Sequence, residues 1–272
     1  MPELPEVETI ARGLAARVSG DVIDSIWLGR KPEPLKSPAR EIAEVLEHSR
    51  IAAVRRQGKH IVFDLESNHK KKNQPAQWIV HLGMTGRLQV CDPQEEIAKH
   101  THAIARLASG KELRFVDPRR FGRLSVEREG FEAGGFEPLE VSPEQFVELF
   151  RGRKTPIKSA LLNQKLLRGV GNIYADEALF RAGIRPRRRA SSITRAQLEK
   201  LHKSLQEVLR EAIALGGSSI SDYVDSDGEE GFFQLQHRVY GREGEPCLVC
   251  GNAIKRVVIG GRSSHYCPKC QK

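Results

Sequence analysis

Apolar residues recur at Val7, Ile10, Leu14 and Val18, three and four positions apart, with mostly polar or small residues between them. That period gathers one stripe on one helical face, so the pattern predicts an amphipathic helix over residues 3–18 that stops near Gly20. Beyond it the period changes. Short runs rich in β-branched and aromatic residues, "VIDSIWL", "HIVFDL", "WIVHL" and "ELRFVD", alternate with Gly, Pro, Asn and Lys clusters up to about residue 130. Such runs predict antiparallel strands in a sandwich or barrel behind the leading helix. The stretch "SNHKKKNQPAQ" reads as an exposed hairpin loop whose lysines are solvated.

The segment "EAGGFEPLEV" then reads as a linker. After it, Ser142 with Gln145 and Thr194 with Gln197 have the spacing of capping boxes, in which each side chain satisfies an orphan backbone N–H of the other residue. Behind the second box, Leu198, Leu201, Leu205, Val208, Leu209 and Ile213 form a helical stripe ending at Gly216-Gly217. The second half is therefore helical to about residue 215.

At 272 residues and 39% hydrophobic, the chain supports two domains. No apolar run reaches the length of a membrane span, and the N-terminus lacks a signal-peptide core, so the expectation is a soluble, intracellular protein. The formal charge of +9 changes the picture mainly through its distribution. Residues 151–210 hold 15 Lys/Arg against 4 Asp/Glu, 211–237 hold none against 6, and 238–272 hold 7 against 2. Two basic blocks around an acidic segment favour a polyanionic partner, and nucleic acid above others.

Cys247-x2-Cys250 and Cys267-x2-Cys270 are separated by sixteen residues, a spacing that suits a four-thiolate zinc site better than two disulfides in an intracellular chain. The intervening "AIKRVVIGGRSSHY" reads as a hairpin turned at Gly260-Gly261 with Arg262 near its tip. Four sulfur ligands leave no coordination position for substrate, so one structural Zn2+ is expected. The opening "MPELPEVETI" has two readings. Its Pro-Glu pairs suit a first helical turn, and removal of Met1 would also expose the secondary amine of Pro2 beside a carboxylate.

Together, "PELPEVET", "HLGMTGR", "DPRRFG", "GVGNIYADEALF" and "GGRSSHYCPKC", in that order from residue 2 to 270, resemble the bacterial formamidopyrimidine-DNA glycosylase family. The resemblance implies an α+β, two-domain fold. A β-sandwich catalytic domain with a leading helix covers 2–130, and a linker covers 131–141. A helical domain with a helix-two-turn-helix and a lesion-recognition loop covers 142–237, and a zinc-bound hairpin covers 238–272. It also implies excision of oxidised purines from damaged double-stranded DNA, followed by β,δ-elimination at the abasic site, by a cytoplasmic, nucleoid-associated monomer that does not engage membranes. Leu4 favours this branch over the pyrimidine-lesion sister enzyme, endonuclease VIII. A non-catalytic zinc-containing DNA-binding protein is the alternative from another class.

The catalytic residues implied by the resemblance are the Pro2 amine as nucleophile, Glu3 as acid/base, Lys59 in "RQGKH" and the phosphate-gripping Arg262. Met84, Arg119 and Phe121 would fill the space left by an extruded nucleotide. Asn172, His81, Tyr240 and Lys158 would contact phosphates. The acidic stretch at 218–234 falls where the family carries a loop over the flipped base.

Overall fold

A computed structural model of the chain describes residues 1–67, 75–218 and 231–272. The predicted hairpin loop at 67–77 lies largely outside the described residues, as does most of the stretch at 218–234. The chain divides into two compact units: Met1–Ala133 with Gly216–Gly231, and Gly134–Leu215 with Phe232–Lys272. The break at 133/134 falls inside the stretch that reads as linker. Gly216 to Ser218 group with the first unit rather than with the helix before them, and the zinc hairpin groups with the helices.

The first unit opens with α1 (Leu4–Val18), capped by Glu3, whose side chain and that of Glu6 form a capping box. Val7, Ile10, Leu14 and Val18 are all buried, as their period requires. The strands are β1 (Ile23–Leu28), β2 (Ser49–Gln57), β3 (His60–Ser67), β4 (Ala76–His81), β5 (Arg87–Cys91), β6 (Thr101–Leu107), β7 (Glu112–Val116) and β8 (Arg123–Glu127). They form two four-stranded sheets, ordered β1-β6-β7-β5 and β2-β3-β4-β8, in which every ladder is antiparallel. A single core of Val, Ile, Leu, Phe and Trp side chains, Phe63, Trp78 and Phe115 among them, joins both sheets and α1, which makes this a sandwich.

One helix, α2 (Ala39–Leu46), escapes the sequence reading. Its buried face is only Ile42, Val45 and Leu46, too short a period to separate from the strands around it.

In the second unit, α3 (Pro143–Phe150) and α6 (Arg195–Ala214) begin at the predicted boxes: Gln145 N donates to Ser142 Oγ (3.2 Å) and Gln197 N to Thr194 Oγ1 (3.3 Å). Between them lie α4 (Ile157–Leu161) and α5 (Asn172–Ala182). Eight of the eleven residues of α5 are buried, so this helix is a central post and not a surface amphipath. The zinc hairpin consists of β9 (Lys255–Ile259) and β10 (Arg262–Tyr266), paired in register from Ile259↔Arg262 to Lys255↔Tyr266. Gly260 and Gly261 supply the two positive-φ positions (55° and 74°) that a two-residue hairpin turn demands.

Among the described residues, no helix is long and apolar enough to cross a membrane.

Candidate active site and nucleic-acid interface

Within the first unit, the N-terminus of α1 and the β2–β3 turn are tied together. Arg56 donates to Glu8 of α1 (2.7 Å) and to the Gly58 carbonyl (3.2 Å), so the turn that carries Lys59 is latched to the helix that carries Glu3. Glu3 and Lys59 are both buried despite their charge. Glu6 organises the same place: its carboxylate accepts from Glu3 N and from Ser218 N, each at 2.8 Å.

The terminal amine of Met1 lies in this environment and its pKa is lowered. Burial is the main cause, the positive charges of Lys59 and Arg119 add to it, and Glu3 and Glu6 oppose it. The neutral, nucleophilic form of an amine is thereby favoured here. Pro2 itself is acylated by Met1 while Met1 remains, and an amide nitrogen is no nucleophile.

Met84, Arg119 and Phe121 project from two loops built as one piece. The Asp117 carboxylate, fully buried, accepts from Thr85 Oγ1 (2.6 Å), Arg119 N (3.2 Å) and Gly122 N (2.7 Å), so a single anion spans both loops. A Cβ at Gly83, where φ is +65°, would lie 2.5 Å from the Phe121 and Gly122 backbone, which makes glycine obligatory at this approach. Met84 and Phe121 are about half exposed although apolar, and the Arg119 guanidinium stacks 4.8 Å from the Phe121 ring centre. Exposed apolar side chains on braced loops are suited to wedging between bases.

Asp117 is missed by the sequence reading, although an acid immediately before "PRRFG" is the signal that could have found it. Asp117→Ala, which takes the acceptor from the Thr85 hydroxyl and from Gly122 N and leaves Arg119 N only its longer bond to Thr85 Oγ1 (3.4 Å), is expected to cost about 2–4 kcal/mol in urea unfolding. A stability equal to wild type would show that the carboxylate is not the brace.

Gly83 N donates to His81 Nδ1 (3.1 Å), leaving Nε2 as the protonated nitrogen of the neutral ring. Its pKa is lowered to about 4, chiefly by burial, with His60, Lys59 and Arg123 adding repulsion. The neutral ring therefore carries an N–H donor at Nε2, and its charge does not change across the near-neutral range.

The second unit holds the remaining residues. Asn172 is the first residue of α5, next to Gly171, and its Nδ2 donates to Ser263 Oγ of β10 (3.3 Å), which joins the helix-two-turn-helix to the hairpin. The turn before it is stapled by Gln164, whose amide donates to Leu162 O and Val170 O (2.8 Å each) and accepts from Gly169 N (2.9 Å). Arg262 is exposed at the hairpin tip.

Lys158 departs from the expectation of a phosphate contact. Its side chain is fully buried, with Nζ 2.7 Å from Asp176 Oδ1 and donating to Ser263 O at 2.7 Å. Asp176 also accepts from His265 N (2.8 Å). A cation so paired has no surface for DNA, and Lys158 instead braces α4, α5 and β10 against one another.

The neighbouring acid, Glu177, accepts from Arg238 N, Val239 N and Tyr240 N at 2.9–3.1 Å. It fixes the turn that presents Tyr240. Burial pushes the Glu177 carboxyl up, and those three N–H groups pull it back. Sequence reading found neither acid, because "ADE" inside a helix looks like a solvated face.

The four cysteine Sγ atoms lie within 4.8 Å of one another, with Cys250–Cys267 at 3.4 Å and Cys247–Cys270 at 3.9 Å. Ligands at about 2.3 Å around tetrahedral zinc would stand roughly 3.8 Å apart, so the set fits the ion. Val249 N, Asn252 Nδ2 and Cys270 N point at three of the sulfurs (3.4–3.5 Å), which is the stabilisation thiolates need. The cluster packs on Phe180 of α5, Val239 and Ile254.

Comparison with known proteins gives matches along nearly the whole chain. Residues 1–124 match the formamidopyrimidine-DNA glycosylase N-terminal domain, 135–224 the formamidopyrimidine-DNA glycosylase H2TH domain, and 244–272 the zinc finger found in FPG and IleRS. The formamidopyrimidine-DNA glycosylase of Solibacter usitatus is 46% identical, with both chains covered in full. That of Bacillus subtilis is 40% identical over 100% of this chain and 99% of its own. Among solved structures, the MutM (Fpg) protein of Thermus thermophilus superposes with a TM-score of 0.86 at 41% identity, covering 99% of this chain and 98% of that one. A complex of Lactococcus lactis Fpg with DNA containing an abasic site gives 0.90 at 32% identity, covering 99% of each.

Proposed function

The chain belongs to the formamidopyrimidine-DNA glycosylase family, and from that premise we propose how its own residues divide the work of a bifunctional oxidised-purine glycosylase and abasic-site lyase on duplex DNA. The observation that carries the assignment is the Arg56 latch between Glu8 and the Gly58 carbonyl, which ties the turn carrying Lys59 to the helix that Glu3 caps. A protein that only bound DNA would have no use for it.

Once Met1 is removed, the Pro2 nitrogen attacks C1′ of the extruded nucleotide and the bond from C1′ to the base breaks, with the electron pair leaving on the base. Glu3 protonates the sugar ring oxygen as the ring opens, and the nitrogen loses its proton as the iminium forms. The iminium acidifies C2′–H. Loss of that proton expels the 3′ phosphate, and a second elimination expels the 5′ phosphate. Lys59 balances phosphate charge at the reacting nucleotide.

Met84, Arg119 and Phe121 occupy the vacated stack, while Asn172, His81, Tyr240 and Arg262 hold phosphates. Cys247, Cys250, Cys267 and Cys270 would hold the zinc ion, which would supply rigidity to the hairpin and no chemistry. The four thiolates need a reducing compartment, which supports work in the cytoplasm at the nucleoid, and we infer that the enzyme acts there as a monomer.

Borohydride reduction of the protein on a duplex with one 8-oxoguanine opposite cytosine is expected to crosslink DNA to the peptide beginning at Pro2, mapped by mass. A protein that starts at Pro2 and binds this duplex yet gives no such crosslink would overturn the assignment.

A further inference from the structure

Three stretches of the second unit carry bases and no acids. Residues 149–175 hold six Lys/Arg, 182–198 hold five, and 246–272 hold five. The fold lays them side by side. Ile157 N donates to Arg188 O (2.7 Å), Ala190 N to Thr155 O (3.0 Å) and Ser191 N to Arg153 O (2.8 Å), around an antiparallel bridge between Pro156 and Arg189. Arg187 reaches the Val258 carbonyl of β9 at 3.4 Å, next to the hairpin that presents Arg262. Ile157, the first residue of α4, and Ala190 are buried, while Lys154, Arg187 and Arg189 are exposed.

The arginines at this bridge bond to carbonyls, although Arg151, Arg168 and Arg195 in the same stretches pair with Glu148, Glu137 and Glu199, as surface arginines elsewhere do. Arg12 and Arg40 are paired to Glu8 and Glu44, whereas Arg153 donates to Leu149 O (2.5 Å) and Arg188 to Ser192 O (2.8 Å). A carbonyl orients a guanidinium without cancelling its charge, so the strip keeps a positive field whose self-repulsion a merely solvated face does not require. Arg185 is left out of the strip, because it bonds to Pro268 O and Gln271 O beside the four cysteines, whose net charge with zinc bound would be about −2 and would offset it.

We propose that Lys154, Arg187 and Arg189 form a second phosphate-contact strip for duplex DNA, continuous with the Arg262 hairpin and additional to the residues assigned above. It rests on the repair reading, and it would engage undamaged backbone as well as damaged.

The test is the salt dependence of binding by the zinc-loaded, full-length protein. On an undamaged duplex of roughly 40 base pairs, Lys154→Gln/Arg187→Gln/Arg189→Gln is expected to lower the slope of log K against log salt by about 2–3, near 0.9 per lost contact, and to weaken binding about tenfold or more at ~0.1 M salt. Lys154→Arg/Arg187→Lys/Arg189→Lys, which keeps the charge, is expected to retain the wild-type slope. An unchanged slope in the glutamine variant overturns the strip, and so does an equal loss in the charge-preserving variant, which would trace the effect to local structure. Failure of the repair reading would show separately, as wild-type protein that does not crosslink at Pro2.

Discussion

Pro2→Gly is expected to lower single-turnover excision of 8-oxoguanine by on the order of 10³-fold, about 4 kcal/mol of transition-state stabilisation, while affinity for the lesion duplex stays near wild type. Pro2 lies outside α1, whose cap is Glu3, so the substitution removes the pyrrolidine amine without touching a helical hydrogen bond. The glycine amine is primary and conformationally loose, and its imine lacks the ring that holds nitrogen over C1′. Glu3→Gln leaves the amine in place and removes the acid, so about 10²–10⁴-fold should be lost through the chemical step alone. Protein that retains Met1 is expected to bind and not cleave, because its Pro2 nitrogen is an amide. Pro2→Gly protein, shown by mass to start at residue 2 and excising at the wild-type rate, would remove Pro2 from the mechanism.

Cys267→Ser is expected to release zinc and to weaken lesion-duplex binding by at least about 100-fold, since a structural zinc site contributes roughly 10–16 kcal/mol to folding in small zinc modules. Cys267 is fully buried in the cluster with Phe180, so its loss reaches α5 as well as the hairpin. Arg262 would then lose its rigid mount. The first unit reports on itself during this experiment: both tryptophans of the chain, Trp27 and Trp78, lie within it. Their fluorescence should stay native while zinc content and affinity fall together. Tight binding by the metal-free protein would show that the hairpin is dispensable.

Much of this architecture is written in local pattern. The α1 stripe, both capping boxes, the α6 stripe and the glycine turn of β9 and β10 are set by residues within a few positions of one another. All of them stand where the spacing puts them, although Ile213 at the end of the α6 stripe is only half buried. The short α2 was illegible because three buried residues define no period. The acids at 117, 176 and 177 were illegible for a different reason. Each is charged, between Val116 and Pro118 or within the run Ala175–Ala178, and only the partners that the fold supplies make it an internal brace.

By itself, then, the sequence determined the helices with full periods, the four-cysteine set and the order of the family motifs, because each depends on spacing or residue type alone, and it offered Pro2 as nucleophile only through the family resemblance. Only the tertiary structure decided that Lys158 is buried where a phosphate contact was expected. It also decided that Asp117 unites the Met84 and Phe121 loops, and that Gly216 to Ser218 join the first unit. Burying a charge is costly unless partners are placed around it, and here those partners come from far along the chain. Lys158 meets Ser263 across 105 residues, a pairing that no local period encodes.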